Sequence, residues 1–437
     1  MIARVKDFIR LVAKHPYGAS LVALISAAIL TGFSCVLFMR AFEYVSRHRL
    51  DFASVGGWCW LSTPALFLLS VELIRRAAPC ADGTGIPQVI FAVKHLSPAA
   101  EEALAPLTSP TTMAVKIAAL LIALLAGAST GREGPTVHIA ACLFSGFMLL
   151  ARRLTGIKFD SRSALVAGGA AGLAAAFNTP LAGVTFAIEE LTADAFADIK
   201  DYVIMAIVIA AIAAESLYGE YSYFGRLSDA APVPLSAPLL IGVVGGIAGA
   251  FFSTAILRGK RVVMRNQDGA KRFLIPVLLC WGLLAVAKLS AADVLGPGNE
   301  AARTLTRGDF GSWAFAFPGA KILTTLLTYW SGIAGGIFAP CLSIGAALGA
   351  DAGHWLGIPI AGCAMIGMAA FLSGTIQAPI TSFVIIFEMT GGHQLLTPIM
   401  LGSLVAFMVA RFLGAQHLYQ TLSLNYGFLL SEKPPLR

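Results

Sequence analysis

Two carboxylates in this chain sit where a carboxylate is costly. Glu133 lies in STGREGPTV (129–137), between the apolar runs 113–128 and 136–151, and Glu190 lies in FAIEEL (186–191), near the end of the run 163–189. An intramembrane carboxylate must be protonated, paired or held by N–H groups. The residues around Glu133 suggest the last of these. In DGTGIPQ (82–88), STGREGPTV and AGGIFAPCL (334–342), glycine permits close backbone approach, and the proline falls early in the next apolar run. There its missing N–H removes a bond the helix does not make. Each stretch therefore reads as a helix N-terminus, with unpaired N–H groups and a partial charge of roughly +0.5, a ready anion site. Three such ends converging would replace the water around a small anion. A carboxylate among them competes with that anion when ionised and lets it pass when protonated. The plain structural alternative is that Glu133 pairs with Arg132 as a clamp on the fold.

These motifs need a membrane scaffold. The 437 residues are 57% apolar and 13% charged, with a mean hydropathy of +0.79, far less charged than the ~25% of soluble domains. The apolar stretches 19–39, 60–74, 113–128, 136–151, 163–189, 202–218, 237–257, 273–290, 318–331, 340–372, 379–389 and 396–413 predict an all-α polytopic membrane protein. Several are too short to span a bilayer, which takes ~20 residues. With 44 glycines and 21 prolines, they point to tilted and discontinuous helices. Much of the glycine serves close helix packing. The basic, apolar opening over 1–17 reads as a cytoplasmic interfacial helix, and no signal peptide is evident. The net charge of +7 suits lipid headgroups or ions; no basic-aromatic surface points to nucleic acid. Seven cysteines without C-x-x-C spacing read as buried apolar residues, and no metal or cofactor is expected.

A self-comparison finds a repeat. Residues 113–143 align with 318–348 at an offset of 205, pairing Lys116 with Lys321, Gly131 with Gly336 and Pro135 with Pro340. Residues 177–192 align with 376–391 at an offset of 199, pairing Pro180 with Pro379 and Glu189 with Glu388. The expected organisation is two transmembrane halves, 18–225 and 226–425, then a short tail, 426–437. Duplicated halves with interrupted segments at matching places point to a transporter with a midplane site. Sequence similarity leaves open whether the halves are parallel or inverted. The repeat sets Glu133 opposite Phe338, so one half carries a carboxylate where the other carries a ring.

DGTGIPQ, GREGP, GGIFAP and LYQTL (418–422), in this order, resemble the CLC family of chloride channels and chloride/proton antiporters over residues 18–425. The resemblance implies inverted halves, a homodimer in the cell (inner) membrane and one pore per subunit. It implies that Glu133 is the external gate and Tyr419 the central tyrosine. The amides of Ile337 and Phe338 would meet the central anion, and those of Arg132 and Gly134 an outer site. Glu190 matches the internal proton-relay glutamate of proton-coupled members, which favours H⁺/Cl⁻ antiport over a passive voltage-gated-type chloride channel. A solvated or ion-paired Glu190 remains the plain physical alternative. Thr84 departs from the serine of chloride-selective members; it keeps the hydroxyl and adds a methyl and a stiffer χ1. Fluoride/proton antiport, or nitrate exchange, is thereby left open.

Glu189 is read as structural because it repeats, and Lys116 and Lys321 as symmetric supports for loop carbonyls. His138 is read as packed or hydrogen-bonded. GASTG (127–131) fits the G-x-S-x-G pattern of serine hydrolases, but that elbow needs a preceding strand, and the run before it is helix-like, so no enzyme is expected. The chain ends a few residues past GFLL, and no regulatory cytoplasmic domain is expected.

Overall fold

The structure is a computed structural model that describes residues 16–157, 159–192, 196–219, 223–224, 232–266, 268–290 and 292–430. The expected interfacial helix over 1–17 therefore lies outside the described residues, save Pro16 and Tyr17, which open the first helix. Every regular element described is helical. Short single turns apart, in the first half these are α1 (Pro16–Arg47), α2 (Cys59–Ala77), α3 (Ile86–His95), α4 (Glu101–Thr108), α5 (Pro110–Leu125), α6 (Glu133–Thr155), α7 (Ser161–Phe177), α8 (Pro180–Phe186) and α9 (Phe196–Tyr218). The second half has α10 (Ser236–Arg265), α11 (Lys271–Leu289), α12 (Asn299–Thr306), α13 (Phe317–Trp330), α14 (Phe338–Leu356), α15 (Ile360–Ile376), α16 (Pro379–Thr390) and α17 (Leu396–Phe412), followed by α18 (Leu418–Ser423). Six helical stretches among the described residues are long and apolar enough to cross a membrane.

Two apolar runs hold two helices each. The run 163–189 breaks at Asn178, whose φ of 56° is left-handed, and 340–372 breaks at Gly357–Pro359. Asn tolerates the left-handed region that ends a helix, and Pro180 then opens α8. Gln377 (φ 65°) and Pro379 repeat this at the matching place in the second half.

The halves are inverted copies. The equivalent residues Gly131 and Gly336 form an antiparallel pair, each N–H donating to the other's carbonyl (2.7 and 2.9 Å). Helices α6 and α14 leave that pair in opposite directions. The packing repeats as well: α6 lies on α7 as α14 lies on α15, α1 on α9 as α10 on α17, and α2 on α5 as α11 on α13. At the first two crossings small residues let the backbones meet. A Cβ at Gly168 would sit 2.8 Å from the Ala140 carbonyl oxygen, and one at its equivalent Gly367 would sit 2.2 Å from that of Gly345.

Reciprocal caps tie the halves together. Glu189 accepts from the Ile380 and Thr381 amides (3.0 and 2.6 Å), and Glu388 accepts from Leu181 and Ala182 (3.0 and 2.7 Å). Each carboxylate thus satisfies the orphan N–H groups at the start of the other half's helix. The lysines repeat the arrangement. Lys116 donates to the Gly83 carbonyl (3.1 Å), and Lys321 to those of Val294 and Gly296 (2.9 and 2.6 Å). The structural readings of Glu189, Lys116 and Lys321 hold. So do those of His138, whose Nε2 donates to the Leu107 carbonyl (2.6 Å), and of the seven buried, unbridged cysteines. Ser129 exchanges a hydrogen bond with the Thr325 hydroxyl (2.8 Å) after a helix, not a strand.

Candidate functional site

The three glycine-flanked breaks meet at one place. Gly83 donates to the Ile333 carbonyl and accepts from the Gly335 amide (both 3.0 Å), while Gly131 and Gly336 form the antiparallel pair. Four backbone bonds therefore lace the segments before α3, α6 and α14. Gly85 (φ 98°) turns the chain into α3, and a Cβ there would collide with His138 of α6 at 2.5 Å. Gly134 lies against Thr84, since a Cβ there would be 2.8 Å from the Thr84 carbonyl oxygen and 3.1 Å from its Cβ. Only glycine allows these helix starts to approach so closely.

Glu133 opens α6, and Arg132 is its N-cap residue. The Glu133 side chain is fully buried: Oε1 accepts from the Tyr223 hydroxyl (3.2 Å) and Oε2 from the Ala339 amide (3.4 Å) in the first turn of α14. The carboxylate of one half thus occupies the helix N-terminus of the other. Arg132 donates to Glu43 at 2.7 Å, and Glu43 also accepts from Tyr218 (2.8 Å). Arg132 is thus anchored to α1. Ile337 is the N-cap residue of α14 and Phe338 its first helical residue. The Tyr419 ring, on α18, stacks on Phe338 with centroids 6.1 Å apart and planes 9° apart. Phe177 continues the row, 6.2 Å from Phe338 and 5.4 Å from Tyr223. Tyr419 Oη and Thr84 Oγ1 are buried and have no hydrogen-bond partner.

Two cavities reach the junction, one at Arg132 and Tyr223 and the other at Gly83 and Thr84. The first, about 500 Å³, is lined by Glu43, Arg49, Arg132, Tyr223, Asn299 and Phe317, among others. The second, about 230 Å³, is lined by Asp82, Thr84, Lys260, Tyr329 and Tyr426, among others. Phe317 and Tyr329 are twelve residues apart on α13, so the two linings meet that helix at points about 18 Å apart at ~1.5 Å per residue. The C-terminal end of α1 (Arg47) reaches the first cavity, whereas that of its counterpart α10 (Lys260, Met264) reaches the second. This opposition is the inversion of the halves seen at their ends.

Glu190 stands apart from the junction. It is buried, both carboxylate oxygens lack partners, and it lies in a π-helical turn, Ala187–Thr192, that continues α8. Such turns often occur at functional positions. The second half has none there: α16 runs regularly through Glu388 and Met389. The solvated or ion-paired alternative for Glu190 does not describe this burial.

The sequence reading missed a fourth break. GPGNE (296–300) repeats the G-x-G of GTG (83–85): Gly296 and Gly298 have positive φ like Gly83 and Gly85, and α12 starts after it. That shared spacing was the signal available for Asn299. Glu43, a lone carboxylate late in the first long helix, and Asp82 in DGTG were visible but unread. Asp82 is bonded to Lys260 (2.6 Å) and Tyr426 (2.9 Å). Tyr223 had no local signal.

The fold and site define a class: a multi-pass membrane transport protein organised around helix N-termini that meet between two cavities. The family model described as voltage gated chloride channel matches residues 65–411. Two relatives, each described as H(+)/Cl(-) exchange transporter ClcA, from Yersinia pestis and Salmonella agona, are 33% identical; the matches cover 92% and 90% of this chain and 87% and 85% of the relatives. The solved structure of a slow cyanobacterial Cl⁻/H⁺ antiporter superposes with a TM-score of 0.80 at 25% identity, over 95% of this chain and 99% of that one. A CLC-type fluoride/proton antiporter shares the fold, with a TM-score of 0.73 at 20% identity over 89% of this chain and 94% of that one. The chain belongs to the voltage-gated chloride channel family, the CLC proteins.

Proposed function

We propose that this protein exchanges chloride for protons across the cell (inner) membrane, as a homodimer with one transport site per subunit. The observation that carries the reading is Glu133, a buried carboxylate seated on the amide of Ala339 at the start of α14. Ionised, Glu133 occupies the N-terminal positive end of α14 in place of an anion. Protonated, it loses that attraction and leaves the position to chloride, so proton uptake and anion passage become one event. The Ile337 and Phe338 amides, with the Thr84 and Tyr419 hydroxyls, would hold the central anion; both hydroxyls are free to donate. The Arg132 and Gly134 amides would serve the outer position.

Glu190 would relay protons from the side opposite the gate. Its buried position without a partner suits a group that carries a proton rather than a fixed charge. The proposed dimer face comprises 180–215 and 380–412, where Leu181, Ile212, Ile380, Met408 and Phe412 are exposed apolar residues.

The test is proton movement in sealed liposomes under an imposed chloride gradient, with Glu190→Ala as control. Uphill proton movement in the wild type that is lost in the variant supports antiport. Chloride flux with no proton movement would leave a channel. Fluoride flux without chloride flux would replace the substrate and implicate Thr84.

A further inference from the structure

Tyr223 stands between the first cavity and Glu133. Glu133 is fully buried and does not line that cavity, whereas Tyr223 lines it and is itself nearly buried. The tyrosine is held from several sides. Its ring packs edge-on to Phe177 (5.4 Å), with the guanidinium carbons of Arg132 and Arg303 at 5.4 and 5.9 Å from its centroid. Arg303 Nε donates to its carbonyl (3.0 Å), and Asn299 Nδ2 donates to its hydroxyl (2.8 Å). An amide nitrogen only donates, so Asn299 takes a hydroxyl lone pair and directs the hydroxyl proton to Glu133 Oε1, 3.2 Å away.

We propose that Tyr223 is the positioning residue of the gate, a latch that covers Glu133 from the first cavity and holds its carboxylate at the α14 N-terminus through the donated hydrogen bond. This rests on the reading of Glu133 as the gate. A hydrogen bond donated to a carboxylate favours its ionised form, so the latch favours the closed gate, and a proton taken up at Oε1 displaces that hydrogen bond while the tyrosine keeps its own proton. Among the described residues, the charged and titratable groups around Glu133 are Arg132 beside it, Tyr223, Cys341 of α14 and Tyr419 of α18, with Glu43 and Arg303 behind Arg132 and Tyr223. Tyr223→Phe removes one oxygen from this set and leaves the ring in place. Asn299, in the GPGNE break, supports the latch from the second half.

The experiment is the pH dependence of chloride flux in liposomes for the wild type, Tyr223→Phe, Asn299→Ala, Glu133→Gln and the Tyr223→Phe/Glu133→Gln double variant. Losing a hydrogen bond to the charged form should let the gate protonate more readily. The Tyr223→Phe midpoint should therefore move to higher pH by about one unit, a tenfold change in proton concentration. Asn299→Ala should move it the same way by less. In the Glu133→Gln background, Tyr223→Phe should leave the pH dependence unchanged, because the titrating carboxyl it acts through is gone. An unshifted midpoint, or an equal loss of flux in both backgrounds, would make Tyr223 a structural support and overturn the proposal. If Glu133→Gln alone kept the wild-type pH dependence, the gate reading itself would fall.

Discussion

The reciprocal caps allow a symmetric test of the inverted architecture. Glu388→Ala leaves the Leu181 and Ala182 amides at the start of α8 without their carboxylate, and Glu189→Ala does the same to Ile380 and Thr381 at α16. A hydrogen bond to a charged acceptor contributes about 1.5–3 kcal/mol when desolvated. Leu181 and Ile380 belong to the proposed dimer face within the membrane, so water does not replace the lost carboxylate at the freed amides. The desolvated figure is then the better guide. Each alanine variant should lower the unfolding free energy by about 1.5–3 kcal/mol, with the two values close to one another because the two caps are equivalent. The glutamine variants keep an acceptor oxygen and should recover part of the loss. The assay is unfolding in a denaturing-detergent titration, paired with proton movement in liposomes. Glu189→Ala should be destabilised yet still move protons, while its neighbour Glu190→Ala should be stable and uncoupled. A Glu189→Ala protein of wild-type stability, or one whose proton movement alone is lost, would refute the cap.

Four further substitutions follow from the geometry. Lys321→Met orphans two buried carbonyls bonded at 2.9 and 2.6 Å, and Lys116→Met loosens bonds of 3.1 and 3.4 Å; Lys321→Met should cost about 2–4 kcal/mol in the same titration, and Lys116→Met less. Gly349→Ala places a Cβ 2.0 Å from the Cys363 carbonyl oxygen, and forcing α14 from α15 should cost ~1–3 kcal/mol or more, read as a lower unfolding midpoint. Thr84→Ser keeps the hydroxyl and removes the methyl, so chloride flux should rise relative to fluoride and nitrate in competition assays.

The sequence was most informative where chemistry forces a residue type. Glycine before proline marked the starts of α3, α6 and α14, and the matched lysines and glutamates marked symmetric supports, because few residues do those jobs. It was least informative where a contact joins distant segments. Tyr223 reaches Glu133 across ninety positions of chain, with no pattern around it. The breaks at Asn178 and Gly357–Pro359 were hidden inside the apolar runs 163–189 and 340–372; only a proline in each signalled the next helix. The α12 break was missed because that eight-residue helix is too polar and short to register beside long apolar runs. The resemblance named residues at the junction, but the ring row and the Arg132–Glu43 anchor needed the fold.

Gating by Glu133 turns on where an anion sits, and bromide, through its anomalous scattering, reports that position directly. Crystals of the wild type and Glu133→Gln grown in bromide should both show a peak within hydrogen-bonding distance of Thr84 Oγ1, Tyr419 Oη and the Ile337 and Phe338 amides. The variant alone should show a second peak where the Glu133 carboxylate meets the Ala339 amide. No peak at the junction in either protein, or the same second peak in the wild type with its glutamate still seated, would contradict a gate that competes with the anion for one site.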